Sequence, residues 1–480
     1  MNVETSLALG IDLGTSGVRI AVLNQQGTLI HSSSAEYATG LTAPLDWAEA
    51  CRDLITHLPA QIRGQLAAVA VDGTSGTLLA CREDGTPMGP ALSYATAFPE
   101  QTSALKRLVP DGCAASSSSG SLARALQLLD HHGHIDRLRH QADWISGWFL
   151  QNWQWGEEGN NLKLGWDLEQ ATWQGCIADQ SWSSALPEVK PSGSVLGRIA
   201  IDQARNLGVP EDLLVVAGTT DSNAAVLAAN PGDNDGITVL GTTLVMKRFT
   251  PVPIQGAGIT RHRIGQRWLC GGASNAGAGV LRRYFSDAEL EELSRQIDPD
   301  RDSGLRYRPL PTRGERFPVD DPNLEPVLEP RPVSDALFLH GLLEGLAEIE
   351  AEGWARLTEL GAGPPQRVIS LGGGARNPQW RKIRQRRLGL PVVSCNQPPA
   401  AGVALLALSR HGEAEDWGKD WCCVSDPPVR NTVRSAPGLG ASRTPAGKTR
   451  WPSKSCCPAG LPRPGCRRDA APRSPVRRRG

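Results

Sequence analysis

The chain opens on apolar runs separated by short polar turns. Leu7–Ile11 and Val18–Leu23 are apolar and rich in branched residues, the composition of strands. Asp12-Leu-Gly-Thr-Ser-Gly17 lies between them, and Asn24-Gln25-Gln26-Gly27 turns the chain into a further strand. From Pro44 to Leu66, Trp47, Cys51, Leu54, Ile55 and Leu58 recur at helical spacing and predict a helix. A short buried strand, Leu66–Val71, then ends in Asp72-Gly-Thr-Ser-Gly-Thr77 and is followed by apolar Leu78–Cys81 and the turn Glu83-Asp84-Gly85. The opening pattern of strand, acid, small-residue turn, strand and polar turn has repeated.

Two more copies follow. Leu213–Ala217 is a buried strand entering Gly218-Thr-Thr-Asp221, where a helix is predicted to start. Gly236–Leu240 enters Gly241-Thr-Thr and then a second apolar strand, this time without an acid. Gly271–Gly279 is predicted as a flexible Gly/Ala segment running into a helix, and residues 301–333 as a Pro-rich loop. Ser334-Asp335 caps a predicted long helix through Leu360. Arg367–Leu371 reads as a strand into Gly372-Gly-Gly-Ala-Arg-Asn377, with a helix from Pro378 through Leu388. Pro391-Val-Val is another strand, and Ala400–Ser409 another helix.

The length of 480 residues changes this picture only by setting a prior of two or three domains. No apolar run approaches the ~20 residues that span a membrane, and Met1–Ser6 has no basic and apolar leader pattern, so a cytoplasmic protein with no membrane partner is expected. The 50 basic and 50 acidic residues are unevenly spread. The last sixty residues hold 13 Lys and Arg against 2 Asp and Glu, which leaves the rest of the chain at a net charge of −11 and argues against nucleic acid as its partner. Six cysteines are scattered through the first 410 residues without CxxC spacing, as suits a reducing compartment. Beyond His411 periodicity vanishes and Pro, Arg, Ser and Gly dominate, so residues 412–480 are expected to be a disordered tail. Gly447-Lys448-Thr449 there resembles the end of a Walker A loop, but Ser442 stands where its first glycine belongs and no strand precedes it.

The candidate chemistry sits in the turns. Gly14 and Gly17 allow a sharp return of the backbone, and the free N–H groups with Thr15 and Ser16 suit phosphate oxygens. Asp12, at the end of the first strand, would hold a metal ion or a substrate hydroxyl. Asp72 and Ser75 would stand beside it at the carboxyl ends of neighbouring strands, where open α/β sheets bind ligands. Asp221 at a helix start is favoured as an ionised carboxylate and could serve as a general base, with helix capping as the alternative. The glycines at 372–374 bring bare backbone to a flat or anionic ligand. Asn377 and Trp380, one turn apart, could meet a purine by hydrogen bond and by stacking; ordinary burial is the alternative for Trp380. His131, His132 and His134 lack the spacing of a helix-borne metal pair and read as a solvated helix end. The seven tryptophans between 143 and 182 read mostly as core, with one or two available to line a sugar pocket.

Asp12-Leu-Gly-Thr-Ser-Gly, Asp72-Gly-Thr-Ser-Gly-Thr, Gly218-Thr-Thr-Asp221, Gly241-Thr-Thr and Gly372-Gly-Gly-Ala-Arg-Asn377, in this order over residues 7 to about 410, resemble the FGGY-type carbohydrate kinases. Actin, hexokinase and the heat-shock chaperone ATPases belong to the same superfamily. The resemblance implies an α/β fold of two actin-like (ribonuclease H-like) domains around a central nucleotide and sugar cleft. Residues 1–227 would form the N-terminal sugar-binding domain, 228–399 the C-terminal nucleotide-binding domain, and 400–411 a helix packing back on the first. Xylulose kinases usually carry Met-His-Gly after the second strand and glycerol kinases an Arg–Glu pair; Gly73-Thr-Ser-Gly-Thr77 is instead similar to the D-ribulose kinase branch of cyanobacteria and plant plastids.

The implied sugar contacts are Asp12, Ser75 and Asp221, with Asp221 the catalytic base. The implied nucleotide contacts are Thr15, Gly241, Thr242, Gly373, Asn377 and Trp380. ATP and Mg2+ are the implied cofactors, with Asp12 near the metal. D-xylulose or another sugar of the family is the alternative substrate, and an actin-like or chaperone-like ATPase without a sugar acceptor is the alternative of another class. Two positions depart from the family pattern. Ala95-Thr-Ala-Phe98 follows Tyr94 where an acid and Arg are common, and Pro399-Ala400 stands where Glu-Ala is usual.

Overall fold

The computed structural model describes residues 6–409; the tail predicted for 412–480 lies outside them. Two six-stranded mixed sheets dominate. In the first lobe, β1 (Leu7–Leu13), β2 (Gly17–Leu23) and β3 (Leu29–Glu36) form an antiparallel meander. β4 (Leu66–Gly73) lies parallel to β1 on its other side. β5 (Val195–Arg198) and β6 (Leu214–Thr220) complete the order β5-β6-β4-β1-β2-β3.

The second sheet repeats the central device of a hairpin flanked by a parallel strand. Its members are β7 (Asp235–Leu240), β8 (Leu244–Thr250), β9 (Ile259–Ile264), β10 (Arg267–Ala273), β11 (Arg367–Leu371) and β12 (Val392–Ser394). They run in the order β9-β10-β8-β7-β11-β12, with β7 antiparallel to β8 and parallel to β11. The central strands β1, β4 and β7 are buried almost throughout, which is why they read as continuous apolar runs rather than alternating ones.

Helices cover both sheets. α1 (Pro44–Thr56) packs Trp47, Cys51 and Ile55 on the first. The single helix expected through Leu66 is broken, because Pro59 cannot donate to the preceding turn; only Ala60–Arg63 resumes it. α2 (Gln141–Leu150) buries Trp144 and Trp148, and Trp153 tilts against Trp144, so these three tryptophans are core. α3 (Glu158–Asn161) is one short turn. α4 (Asp221–Ala228) follows β6 directly. α5 (Asp287–Arg295) carries a capping box from Ser286 and Glu289. α6 (Asp335–Leu357) starts where Ser334 accepts from the Leu337 amide and runs on into a π turn, Thr358–Ala362, so the helix reaches the expected Leu360. α7 (Pro378–Leu388) and α8 (Pro399–Ser409) close the described chain.

Two expectations need correcting. Gly271 and Gly272 are not a flexible lead-in but part of β10: a Cβ on Gly271 would stand 2.0 Å from the Met246 carbonyl, and one on Gly272 2.5 Å from the Phe317 ring. The helix after them is only Ala278–Leu281.

α8 follows the second sheet but lies on the first. Gly10 of β1 allows this, since a Cβ there would stand 1.9 Å from the Ala400 carbonyl. On the other side of the same helix, Gly402 meets α4 equally closely, 1.9 Å from the Ala224 carbonyl. Val403, Leu406 and Ala407 of α8 share one buried cluster with Ala68 and Val216 of the first sheet and Ile237, Phe249 and Leu371 of the second. The two lobes therefore meet through apolar burial.

Candidate active site

The repeated strand-turn-strand brings its acids together. β1 and β4 run parallel with Asp12 opposite Asp72, and β4 and β6 run parallel with Asp72 opposite Thr219, two residues before Asp221. Asp12, Gly14, Thr15, Ser16, Arg19, Thr74, Asp221, Ser222 and Pro399 line one cavity of about 370 Å3. The sequence pointed to Ser75 on the second turn, but its neighbour Thr74 lines this cavity. Ser75 is half-buried beside it, and its carbonyl accepts from Lys163 Nζ at 3.3 Å. Thr74 is fixed by Gln141, whose Oε1 accepts from the Thr74 amide (3.1 Å) and from its hydroxyl (2.7 Å). Gln141 also donates to the Tyr37 hydroxyl, which donates to the Gly14 carbonyl, so the first two turns share one buried frame.

The charges in this cleft are strongly perturbed. Burial pushes Asp12 up, opposed by Arg19, whose Nη1 is 3.4 Å from Asp12 Oδ2. Asp72 is fully buried and both its carboxyl oxygens lack a protein hydrogen-bond partner. Burial first, then the charges of Asp12 and Asp221, drive it well above the usual carboxylate range. Asp221 is not the cap of α4; Thr220 holds that position, and Asp221 Oδ1 accepts from the Ser222 amide at 2.7 Å. Burial raises Asp221, while Lys163 and Lys247 favour its ionised form.

Lys163 comes from the polar stretch Glu157–Trp166, which reads in the sequence as a site loop, whereas nothing in the sequence singled out Lys247. Lys247 is buried on β8, pushed down to about 8 by burial with Asp221 opposing, and donates to Ser222 Oγ at 2.7 Å and Asn223 Oδ1 at 3.1 Å. Its only sequence signal is a lone lysine closing the apolar run Leu244-Val-Met.

Thr15 is exposed at the tip of the first turn, 3.2 Å from the Tyr94 hydroxyl. The loop after Tyr94, which departs from the family pattern, is held by buried Arg124 through the carbonyls of Ser93, Tyr94 and Thr96. Gly241 and Thr242 form the turn between β7 and β8, and their carbonyls accept from the amides of Ala278 and Gly279.

A second cavity, about 600 Å3, is lined by Leu281, Ser294, Gly373, Gly374, Asn377 and Trp380 among others. Asn377 Oδ1 caps α7 by accepting from the Trp380 amide at 3.0 Å, and Nδ2 donates to Ser294 at 2.8 Å. Trp380 is 1 % exposed and set against Gly374, so it stands in the wall of the cavity, as the burial alternative had it. The three histidines at the end of the 121–132 helix form no metal cluster; His134 pairs with Asp136 at 3.0 Å.

Among the described residues no group of three or more His, Cys, Asp or Glu could hold a metal ion, and no helix is long and apolar enough to cross a membrane. Mg2+ commonly uses one or two carboxylates, with water and substrate phosphate completing its shell. Asp12, beside the unpartnered Asp72 carboxyl, fits that donor set.

Residues 236–410 match the model of the FGGY family of carbohydrate kinases, C-terminal domain. A xylulose kinase of Lactococcus lactis subsp. lactis (strain IL1403) is 23 % identical over 438 residues, 83 % of this chain and 87 % of that one. An autoinducer-2 kinase of Yersinia pestis (strain Pestoides F) is 23 % identical over 474 residues, covering 84 % and 88 %. In fold, the crystal structure of a xyloylose kinase from Brucella ovis superposes with a TM-score of 0.74 at 16 % identity, covering 88 % of this chain and 93 % of that one. The two-lobed actin-like fold is thus shared with solved sugar kinases, and residues 236–410 carry the pattern of the C-terminal domain of FGGY carbohydrate kinases.

Proposed function

We propose that the protein transfers the γ-phosphoryl group of ATP to a ketopentose, with O5 of D-ribulose as the favoured acceptor. The observation that carries this reading is the common cavity of Asp12, Thr74 and Asp221 at the ends of adjacent strands. Asp221 takes the proton of the acceptor hydroxyl as its oxygen bonds to phosphorus and ADP departs. A half-buried carboxylate raised by burial yet flanked by two lysines suits a base that is ionised but still basic. Asp12 and Ser75 orient the sugar.

Thr15, Gly241, Thr242 and Gly373 bind the phosphates through their turns, and Asn377 with the wall formed by Trp380 shapes the nucleoside end. Asp12 would hold Mg2+, which would neutralise phosphate charge during transfer. In this reading residues 1–227 carry the sugar and 228–399 the nucleotide, with α8 locking onto the first lobe. A cytoplasmic setting is part of the proposal, since the six described cysteines are free thiols.

D-Ribulose is favoured by Gly73-Thr-Ser-Gly-Thr77; D-xylulose is the second reading, favoured by the xylulose kinase of L. lactis. An ADP-release screen over D-ribulose, L-ribulose, D-xylulose, sedoheptulose, glycerol and autoinducer-2 separates them. D-Ribulose should give the highest kcat/KM, and ADP release independent of any acceptor would overturn the kinase reading of the cleft. Asp221→Asn should cut kcat by ~10²–10⁴-fold with KM for ATP little changed; near-full activity would remove Asp221 from its role.

A further inference from the structure

Lys247 belongs to β8 of the second sheet, but both of its hydrogen-bond partners, Ser222 and Asn223, lie in the first turn of α4, which follows the first sheet. The ammonium is buried and no carboxylate lies within salt-bridge distance of it among the described residues. Keeping an ammonium out of water against two neutral acceptors is costly, and a methionine of similar length would fill the space more cheaply. The nearest compensating charge is Asp221, one residue before Ser222. Lys247 also closes the sequence that starts at Gly241-Thr-Thr, so one short stretch of chain links the proposed phosphate turn to the proposed base.

We propose that Lys247 is a positioning residue for phosphoryl transfer: it crosses from the nucleotide lobe to the helix that begins with Asp221, fixes that helix's first turn, and keeps the base oriented and ionised beside the acceptor. This rests on the assignment of Asp221 above. The other titratable groups facing the pair are Asp12 from β1, Asp72 from β4, Lys163 after α3 and His262 from β9. His262 is held neutral, pushed down to about 3 by burial and by the two lysines, so it supplies no competing cation.

The test combines Lys247→Met, Lys247→Arg, Asp221→Asn and the Lys247→Met/Asp221→Asn double variant, each checked by circular dichroism and thermal melting. Lys247→Met should lower kcat by about tenfold or more, the equivalent of one ~1.4 kcal/mol interaction, with KM for ATP within about twofold. Lys247→Arg, which keeps the charge, should recover part of that loss. In the Asp221→Asn background, Lys247→Met should cost almost nothing further, because residues acting through one another are not additive.

The parent enzyme supplies a measurement that needs no variant to fold. Its kcat should decline as pH rises through about 8, where the buried ammonium is lost, and a flat profile to pH 10 would overturn the proposal. If Asp221→Asn is crippled while Lys247→Met turns over at the parental rate, the role of Lys247 falls and that of Asp221 stands. If Asp221→Asn is itself fully active, both fall.

Discussion

Replacing Arg263 with methionine should destabilise the protein by roughly 3 kcal/mol, and the loss should depend on pH. Arg263 on β9 forks onto Glu158 of α3, with Nε 3.2 Å from both carboxylate oxygens and Nη2 2.6 Å from Oε2. The Glu158 side chain is 1 % exposed and that of Arg263 25 %. Removing one partner of a buried pair costs ~3–5 kcal/mol, and the partial exposure of Arg263 puts this case at the lower end. At ~2.1 cal/mol/K per residue, roughly 400 cooperative residues unfold with ~0.8 kcal/mol/K, so Tm should drop by ~4 °C.

The sign of the pH effect follows from Glu158. Burial already raises its pKa and Arg263 holds it down; without the guanidinium it rises further. Below the ordinary glutamate value of 4.5 both folded and unfolded chains hold the proton and no penalty arises. As pH rises past that value the unfolded chain ionises and the variant's folded state does not, so stability is lost. Melting of parent and Arg263→Met should therefore differ less near pH 5 than near pH 8, and Glu158→Gln/Arg263→Met should regain about half the loss. Equal gaps at both pH values would refute the electrostatic reasoning and leave packing against Trp268 as the cause.

Two neighbouring glycines should part company at the proposed nucleotide cavity. A Cβ on Gly374 would stand 2.4 Å from the Trp380 ring and 2.8 Å from Leu240, so Gly374→Ala should displace that wall and raise KM for ATP in steady-state assays. Gly373 has nothing within 4 Å, and Gly373→Ala should leave Tm within about 1 °C, a surface-like effect. At the crossing of α8 and α4, Gly402→Ala meets the Ala224 carbonyl at 1.9 Å and the Ala228 amide nitrogen at 2.5 Å. Overpacking of this kind costs ~1–3 kcal/mol; calorimetry should show it, with a fall in kcat because the displaced helix starts at Asp221. Parental stability in Gly402→Ala would mean that the two helices are not locked.

Much of the architecture was readable because its signals are local. β1, β4, β7 and β11 are apolar runs ended by small-residue turns, and repetition of that unit showed which acids stand side by side. What could not be read was set by packing between distant segments. Trp380 and Trp144 look alike in sequence, and only the position of Gly374 makes one of them a cavity wall. Lys247 is an ordinary lysine until the helix that starts at Asp221 covers it, and Lys163 until it reaches the Ser75 carbonyl within range of the Asp221 charge. The shift from Ser75 to Thr74 as cavity lining turns on which way one turn faces, which Gln141 decides from 67 residues away. The break at Pro59 was visible and was outweighed by a strong helical period.

The repeat that made the acids readable also limits their charge. Asp12 and Asp72 occupy the same register on parallel strands, so a duplicated unit places two carboxyls in one dry space. Both cannot be ionised there at modest cost. Asp72, fully buried and beside the charges of Asp12 and Asp221, is driven furthest toward the protonated form, while Arg19 favours the ionised form of Asp12. Asp221, the proposed base, is the second carboxylate of the cavity, and Lys163 and Lys247 favour its ionised form. Two carboxylates against three cations leave the cleft with no large field to repel a nucleotide polyphosphate, although the described chain upstream of the basic tail is acidic as a whole. The lysines therefore answer two demands at once: they favour the ionised form of Asp221, as the proposed base requires, and they balance the charge of Asp12 in the same cavity.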